Sequence, residues 1–362
     1  MSGTPRPWAA ALGALLILVI LWDAFQTIIL SRRVSRRFRP TRAFYRLLWT
    51  PSRALARRIA PGDARERVLM VFGPLSLLTL IALWALGLVA CFAVVHWGLG
   101  SQIAAPQGAS GFGLDLYMSG TTFFTLGLGD AVPQTSLARA VTVLECGMGF
   151  AFLALVIGYV PLISQAYSRR EVDISMLDAS AGSPPTVANL LLRHFQDEDS
   201  ELRGYLRDWE RWCAELLESH VSFPVLAYFR SQHDNQSWVA ALTTVLDTCT
   251  LLVTRVEDRP FPPAARLSFA MARHAVRDLC AIFRLTPTPP PERLPPAEEA
   301  RLARHVAEVG VRLRADAPAV AEFAAMRATY EPYVYALSEH LLMPLPAWVP
   351  PEGAAEARHS IA

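Results

Sequence analysis

The apolar positions fall into three long runs in the first 170 residues and into shorter amphipathic patches after them. Residues 8–30 form the first run. It spans about 23 residues, enough at about 1.5 Å per residue to cross roughly 30 Å of hydrocarbon. A cleaved signal peptide is disfavoured, because only Arg6 precedes the run and no small-residue cleavage site follows it. A basic segment opens there instead, at Ser31-Arg32-Arg33. The second run, 68–97, is longer than a bilayer needs and predicts tilt or a cytoplasmic extension near Gly73-Pro74. The third, 136–167, ends at Arg169-Arg170.

Between the second and third runs lies a loop, 98–135, with a different pattern. Its first part, 98–113, carries no charge and is rich in Gly, Ser, Ala and Gln, as an outer turret would be. Residues 114–124 then read as a helix of about 11 residues, about 16 Å long, half a membrane. Non-helical backbone after such a half-helix is tolerated at membrane depth only where it lines a protein-enclosed, watery path. The pattern therefore predicts a re-entrant pore loop.

Charge sets the orientation. Residues 1–170 hold 16 arginines against 6 acidic residues, a surplus of +10, and twelve of those arginines lie between Arg32 and Arg67. An excess of arginine beside membrane spans marks the cytoplasmic side. The first helix then runs inward from an outside N-terminus, the second outward and the third inward. The arginine cluster mixes with bulky apolar residues, as in Phe44-Tyr45-Arg46-Leu47-Leu48-Trp49, and predicts short interfacial helices against anionic lipid. A nucleic-acid role does not fit a cluster set between two spans.

Residues 171–362 reverse the balance, with 18 arginines against 26 acidic residues. Helical periodicity recurs at about 186–219, 236–256, 262–284, 296–315 and 318–342. The first follows a start signal, Ser183-Pro184-Pro185-Thr186. Proline-rich joints lie at 260–263 and 287–296, and a loose tail is predicted from Pro344. The expected division is a first helix over 1–31, a basic segment over 32–67, a pore module over 68–170, a cytosolic helical domain over 171–343 and a tail over 344–362. The fold class is all-α.

All 34 basic residues are arginine, which excludes Schiff-base and other lysine chemistry. Cys91, Cys146, Cys213, Cys249 and Cys280 show no paired spacing and read as reduced structural thiols. Trp209, Trp212 and Trp238 read as buried core before they read as a pocket. His305 and Glu308 share a helical face but lack further ligands. No phosphate loop, nucleophile elbow or dinucleotide fingerprint occurs, so an enzyme is not expected, nor a resident cofactor.

The most specific chemistry lies after the half-helix, in Thr125-Leu126-Gly127-Leu128-Gly129-Asp130. Alternate glycines permit backbone conformations that turn successive carbonyls toward one axis. With Leu116-Tyr117-Met118-Ser119-Gly120-Thr121-Thr122-Phe123-Phe124 before it and Val132-Pro133 after it, the stretch resembles the pore helix and filter of potassium channels. Together with its flanking helices it is similar to the pore module of bacterial two-transmembrane potassium channels, over about 100 residues. The resemblance implies that the carbonyls of Thr125, Leu126, Gly127 and Leu128, with the Thr125 hydroxyl, replace the hydration shell of potassium, the permeant ion, as far as Gly129. It implies an Asp130 ring at the outer mouth. One loop per chain implies a homotetramer in a bacterial inner membrane.

The departures from that pattern matter. Leu128 stands where the family usually has an aromatic residue, leaving the filter to packing against Phe123, Tyr117 and Met118. Thr121 replaces an acid found behind the filter in some relatives. Glu145 in the third run has three open readings: a bond to the pore helix or filter loop, a cation site in the cavity, or a partner on another span. Asp23 either reaches the interface or meets an arginine such as Arg32, and Asp115 reads as a cap on the pore helix at least as readily as an ion-binding group. Gly149 matches the family's hinge, while Gly147 reads equally as packing or hinge, and Gly158 and Pro161 mark a kink near the cytoplasmic mouth. Phe150, Leu153 and Ile157 face the cavity if the resemblance holds. A weakly selective cation channel and a non-conducting receptor or scaffold are the competing readings. The gating stimulus and any cytosolic ligand or partner are not encoded legibly.

Overall fold

The computed structural model describes residues 4–30, 40–105, 110–195, 199–231, 236–256 and 262–351. The protein is all-α, and three of its helices are long and apolar enough to cross a membrane: α1 (Pro7–Ile28), α3 (Asp63–Leu99) and α5 (Ser136–Ala181). Between α1 and α3 lies the amphipathic α2 (Pro40–Ala56), and between α3 and α5 the short α4 (Phe112–Phe123). The chain divides into two compact units, residues 1–52 with 74–164, and residues 53–73 with 165–362.

In the first unit α3 is the central post. Half of its most apolar window is buried, against 28% for α1 and 11% for α5. Ile17 of α1, Leu88 and Phe92 of α3 and Phe123 of α4 form one buried cluster. Near the entrance to α1, Gly98 approaches so closely that a Cβ there would lie 2.8 Å from the Ala10 Cα, and Arg6 covers the Trp97 ring at 4.0 Å. The uncharged stretch after α3 contributes a two-residue strand. β1 (Ile103–Ala104) pairs antiparallel with β2 (Val132–Pro133), closing the loop around α4.

Among the described residues, Asp23 meets Thr41 and Trp84. It is buried, and its carboxylate accepts from the Thr41 amide at 3.2 Å, the Thr41 hydroxyl at 2.5 Å and the Trp84 indole at 3.1 Å. These bonds satisfy a donor in the first turn of α2 and pin that turn to α3. Arg32, the partner considered from sequence, lies outside the described residues.

The second unit holds α6 (Val187–His194), α7 (Asp199–Ser222), a 3₁₀ turn (Pro224–Tyr228), α8 (Trp238–Thr254), α9 (Pro262–Phe283), α10 (Pro296–Ala307), α11 (Ala317–Ala328) and α12 (Glu331–Leu341). Thr186, Ser237 and Asp316 cap α6, α8 and α11 with side-chain oxygens. Buried on almost every face, α8 is the core helix, and Trp209, Trp212 and Trp238 are core residues.

Four boundaries differ from the periodicity. The pattern over 186–219 is carried by two helices, α6 and α7. The pattern over 318–342 is split at Tyr330, because Pro332 has no amide to continue α11 and starts α12 instead. The 296–315 pattern stops at Ala307, ahead of Gly310 at φ +73°. The third span continues to Ala181, where Gly182 at φ +87° ends it. Nor are residues 344–351 a loose tail. Trp348 and Val349 are buried, Arg293 and Arg301 donate to the carbonyls of Pro346 and Pro350, and the Ala188 amide donates to Trp348. Residues 352–362 lie outside the described residues.

Candidate functional site

The α4 helix carries Asp115 in its first turn and ends at Phe123, after which the backbone changes hand residue by residue. Thr125 has φ +57°, Gly127 +55° and Gly129 +77°, whereas Leu126 and Leu128 are not in the left-handed region. Alternation of hand points consecutive carbonyls to one side, whereas a strand points them to opposite sides. Glycine takes this geometry without strain, but Thr125, which is β-branched, pays for it. The amides of the stretch are tied back to the helix end. Phe124 donates to Gly120 at 3.1 Å, Thr125 to Thr122 at 3.0 Å, and Leu126 to Thr121 at 2.8 Å. Donors are thus consumed behind the stretch, leaving carbonyls to its exposed side.

The outer end is braced by a hydrogen bond. Tyr117 donates from its hydroxyl to the Asp130 carboxylate at 2.7 Å, joining α4 to the residue that closes the stretch. Packing alone was the expectation with Leu128 in place of an aromatic residue. A polar brace comes instead from α4, to the residue just after Gly129. Leu128 itself is 64% exposed.

Behind the alternating stretch α3, α4 and α5 meet in a buried polar cluster. The Glu145 carboxylate of α5 lies 3.6 Å from Nε2 of His96 on α3, both side chains being fully buried. Nδ1 of His96 is 3.0 Å from the Ser101 hydroxyl. Ser119 and Asp115 of α4 are buried alongside. Glu145 is therefore turned toward α3 and α4, while Thr121 uses its hydroxyl on the Met118 carbonyl at 3.0 Å.

Gly149, one turn beyond Glu145, faces the end of α4. A Cβ there would lie deep inside contact with the Phe123 carbonyl oxygen and 2.9 Å from the Phe123 carbonyl carbon, whereas Gly147 and Gly158 have open space at theirs. The close approach belongs to Gly149, not to Gly147. Pro161 lies within α5 without ending it, and Phe150, Leu153 and Ile157 are more than half exposed on its surface.

In the second unit the C-terminal continuation of α5 is gripped by the segment around the 3₁₀ turn. Arg170 donates to the carbonyls of Leu226 and Phe229 at 2.9 and 2.8 Å, and the Tyr167 hydroxyl donates to Arg230 at 3.0 Å. Arg230 in turn pairs with Glu66 of α3 at 3.2 Å and donates to Leu341 and Leu342. A Cβ on Gly73 of α3 would sit 2.7 Å from the Phe229 ring. One short segment thus holds both helix ends. His220, packed beneath it against Trp238, is pushed down to about 3 by burial and then by the Arg170 charge.

Residues 77–161, which include α4 and the alternating stretch, match the family model for an ion channel. That match runs from within α3, through α4 and the alternating stretch, into α5. The wider chain is similar to the Uncharacterized membrane protein YdjJ of Bacillus subtilis (strain 168). The two are 23% identical over 263 residues, which is 71% of this chain and 73% of that protein. No solved structure matches.

Three functional contacts escaped the sequence reading. Tyr117 was read as packing and His96 was not singled out, since nothing in sequence spacing links residues 13 or 49 positions apart. The grip on Arg170 was equally hidden, although an arginine ending an apolar run was a visible signal.

Proposed function

We propose that the protein is a potassium-selective channel that conducts passively through a homotetrameric pore. Its filter is Thr125 to Gly129, with potassium held by the carbonyls of Thr125, Leu126, Gly127 and Leu128 and with Asp130 at the outer mouth. The observation that carries this reading is the alternation of backbone hand at 125, 127 and 129, in a stretch whose amides bond back to the pore helix.

The need for further copies follows from solvation. Residues 124–130 are exposed on the single chain. Lipid can cover the apolar side chains of α5, but it offers no partner to a row of carbonyls. Only other protein around a watery path does, and four loops about an axis supply it. The arginine-rich segment favours a cytoplasmic α2 lying on anionic lipid, with the N-terminus outside and the helical domain inside a bacterial inner membrane.

Potassium flux from vesicles holding the purified protein tests the reading, with Gly127→Ala as the comparison. Flux is expected for the wild type and its loss for the variant. Equal flux in both would refute the filter assignment. A second reading, weak selectivity, is favoured by the exposed and purely apolar Leu128; a reversal potential near zero in opposed potassium and sodium gradients would establish it.

A further inference from the structure

We propose that His96, Glu145, Asp115 and Ser119 form a proton-binding site behind the pore helix, through which the pore responds to pH. The response in flux rests on the channel reading; the site itself does not.

Three elements place these groups together: α3 brings His96, α4 brings Asp115 and Ser119, and α5 brings Glu145, each at most 6% exposed. Buried polar atoms are almost always paired. Here both Glu145 oxygens, the Ser119 hydroxyl and His96 Nε2 lack a hydrogen bond of normal geometry, although His96 and Ser119 both face the Glu145 carboxylate. The 3.6 Å between Glu145 and Nε2 is too long for a hydrogen bond, yet short enough for a proton on either group to draw the two together. His96 is already oriented for this, because Ser101 holds its other nitrogen.

The charges facing the pair can be counted element by element. From α4 comes Asp115, the second carboxylate acting on His96. Among its described residues the loop after α3 offers the neutral Ser101. On the α1 side the charged groups are Arg6, whose guanidinium is occupied by the Trp97 ring, and Asp23, whose carboxylate is held by Thr41 and Trp84. An ionised Glu145 beside a neutral imidazole is thus an uncompensated buried charge, which a low-dielectric site penalises heavily. One added proton removes the imbalance, whether it rests on the carboxylate or on the imidazole. The uptake therefore belongs to the pair rather than to either residue.

The site has a direct path to the filter. Glu145 and Gly149 are four residues apart on one face of α5, and Ser119 and Phe123 are four apart on α4. Gly149 touches the Phe123 carbonyl, and Phe123 stands two residues before Thr125. A change of charge at Glu145 acts on the same α4–α5 contact that seats the filter.

Potassium flux from vesicles of the full chain is to be measured at outer pH values between about 5 and about 8, the range in which a histidine–carboxylate pair titrates. Wild-type flux is expected to change several-fold with pH, E145Q to flatten the profile, and H96Q and S119A to shift its midpoint. A pH-independent wild type, or the wild-type profile retained in E145Q and H96Q, would overturn the proposal. Infrared titration of the carboxyl, carboxylate and imidazole bands reads the site without conduction. A pH-dependent change in these bands is expected in the wild type, lost in E145Q and moved in H96Q; no such change at any pH, or its indifference to both variants, would overturn the site. If wild-type vesicles pass no potassium, the channel reading fails, and the infrared result still decides the site. If E145Q does not assemble, H96Q and S119A decide by the same midpoint, and no shift in either refutes it.

Discussion

Gly149→Ala separates close packing from hinge bending as the reason for that glycine. On an open helix the change would stabilise the chain by about 1 kcal/mol, because alanine is the better helix former. At Gly149 the new methyl meets backbone. The Phe123 carbonyl carbon would lie 2.9 Å away, about 0.6 Å inside the carbon–carbon optimum of about 3.5 Å, and the oxygen is nearer still. A side chain could rotate away, but a carbonyl at the end of α4 can retreat only by moving α4 or α5. Overpacking of this kind costs about 1–3 kcal/mol, and a rigid obstacle puts it at the upper end. Net of helix propensity, the variant loses about 2 kcal/mol per chain, roughly a 30-fold change in the folded ratio, repeated in each copy of an oligomer. Gly147→Ala and Gly158→Ala meet nothing and should gain slightly. Thermal unfolding of the full chain in detergent, followed by tryptophan fluorescence, ranks the three variants, and vesicle flux follows the consequence for the filter. If Gly149→Ala melts with or above Gly147→Ala and still conducts, the packing argument is wrong. A variant that melts normally but fails to open would mark a hinge instead.

Other contacts lead to sharper single tests. Tyr117→Phe removes the hydroxyl that holds Asp130, so the potassium-to-sodium permeability ratio from reversal potentials should fall several-fold; an unchanged ratio would show that the brace does not support the filter. Asp247→Ala strands the Arg293 guanidinium, which sits 2.7 Å from that carboxylate with Glu331 as a weaker partner at 3.4 Å. Leaving a buried charge with so little compensation should cost at least about 3 kcal/mol in denaturant unfolding, and a loss below about 1 kcal/mol would contradict the network. His220 is held near 3 in the folded chain against its ordinary 6.5, so the unfolded chain binds the extra proton between those values. Its contribution to stability is complete above about pH 6.5 and is lost as pH falls, at up to about 1.4 kcal/mol per pH unit. H220Q should therefore show a shallower decline in unfolding temperature on acidification, and an identical slope would refute the assignment.

What the sequence made legible were the features imposed by hard constraints. A bilayer sets a minimum length, so the three spans are visible as runs even though their polar ends are not. Left-handed backbone demands glycine, so Gly127 and Gly129 announced themselves. Thr125 did not, since a threonine at positive φ is a cost that the surrounding bonds impose and its type does not reveal. A run of periodicity also says nothing of where a helix must break, which is why Pro332 divided one predicted helix, while nothing before Gly182 stopped another.

The illegible part has a common cause: it consists of contacts between elements distant in sequence, where one residue type admits several partners. Glu145 was open among three roles until His96 stood opposite it. Asp23 was open until Thr41 and Trp84 converged on it. Gly147 and Gly149 are equivalent in sequence, and only the Phe123 carbonyl distinguishes them. These residues share a property that sequence does disclose, namely a polar or missing side chain where the helix is otherwise apolar. Such a position carries a cost in lipid or core that some contact must offset. In this chain each of these exceptions meets another element: Asp23 joins α1 to α2 and α3, Glu145 joins α5 to α3 and α4, and Gly149 seats α5 on the end of α4. The exceptions to the apolar pattern therefore map the joints around α4, and a substitution there should disturb the stretch 125–129 more than an equal change of volume on the exposed face of α5 at Leu153 or Ile157.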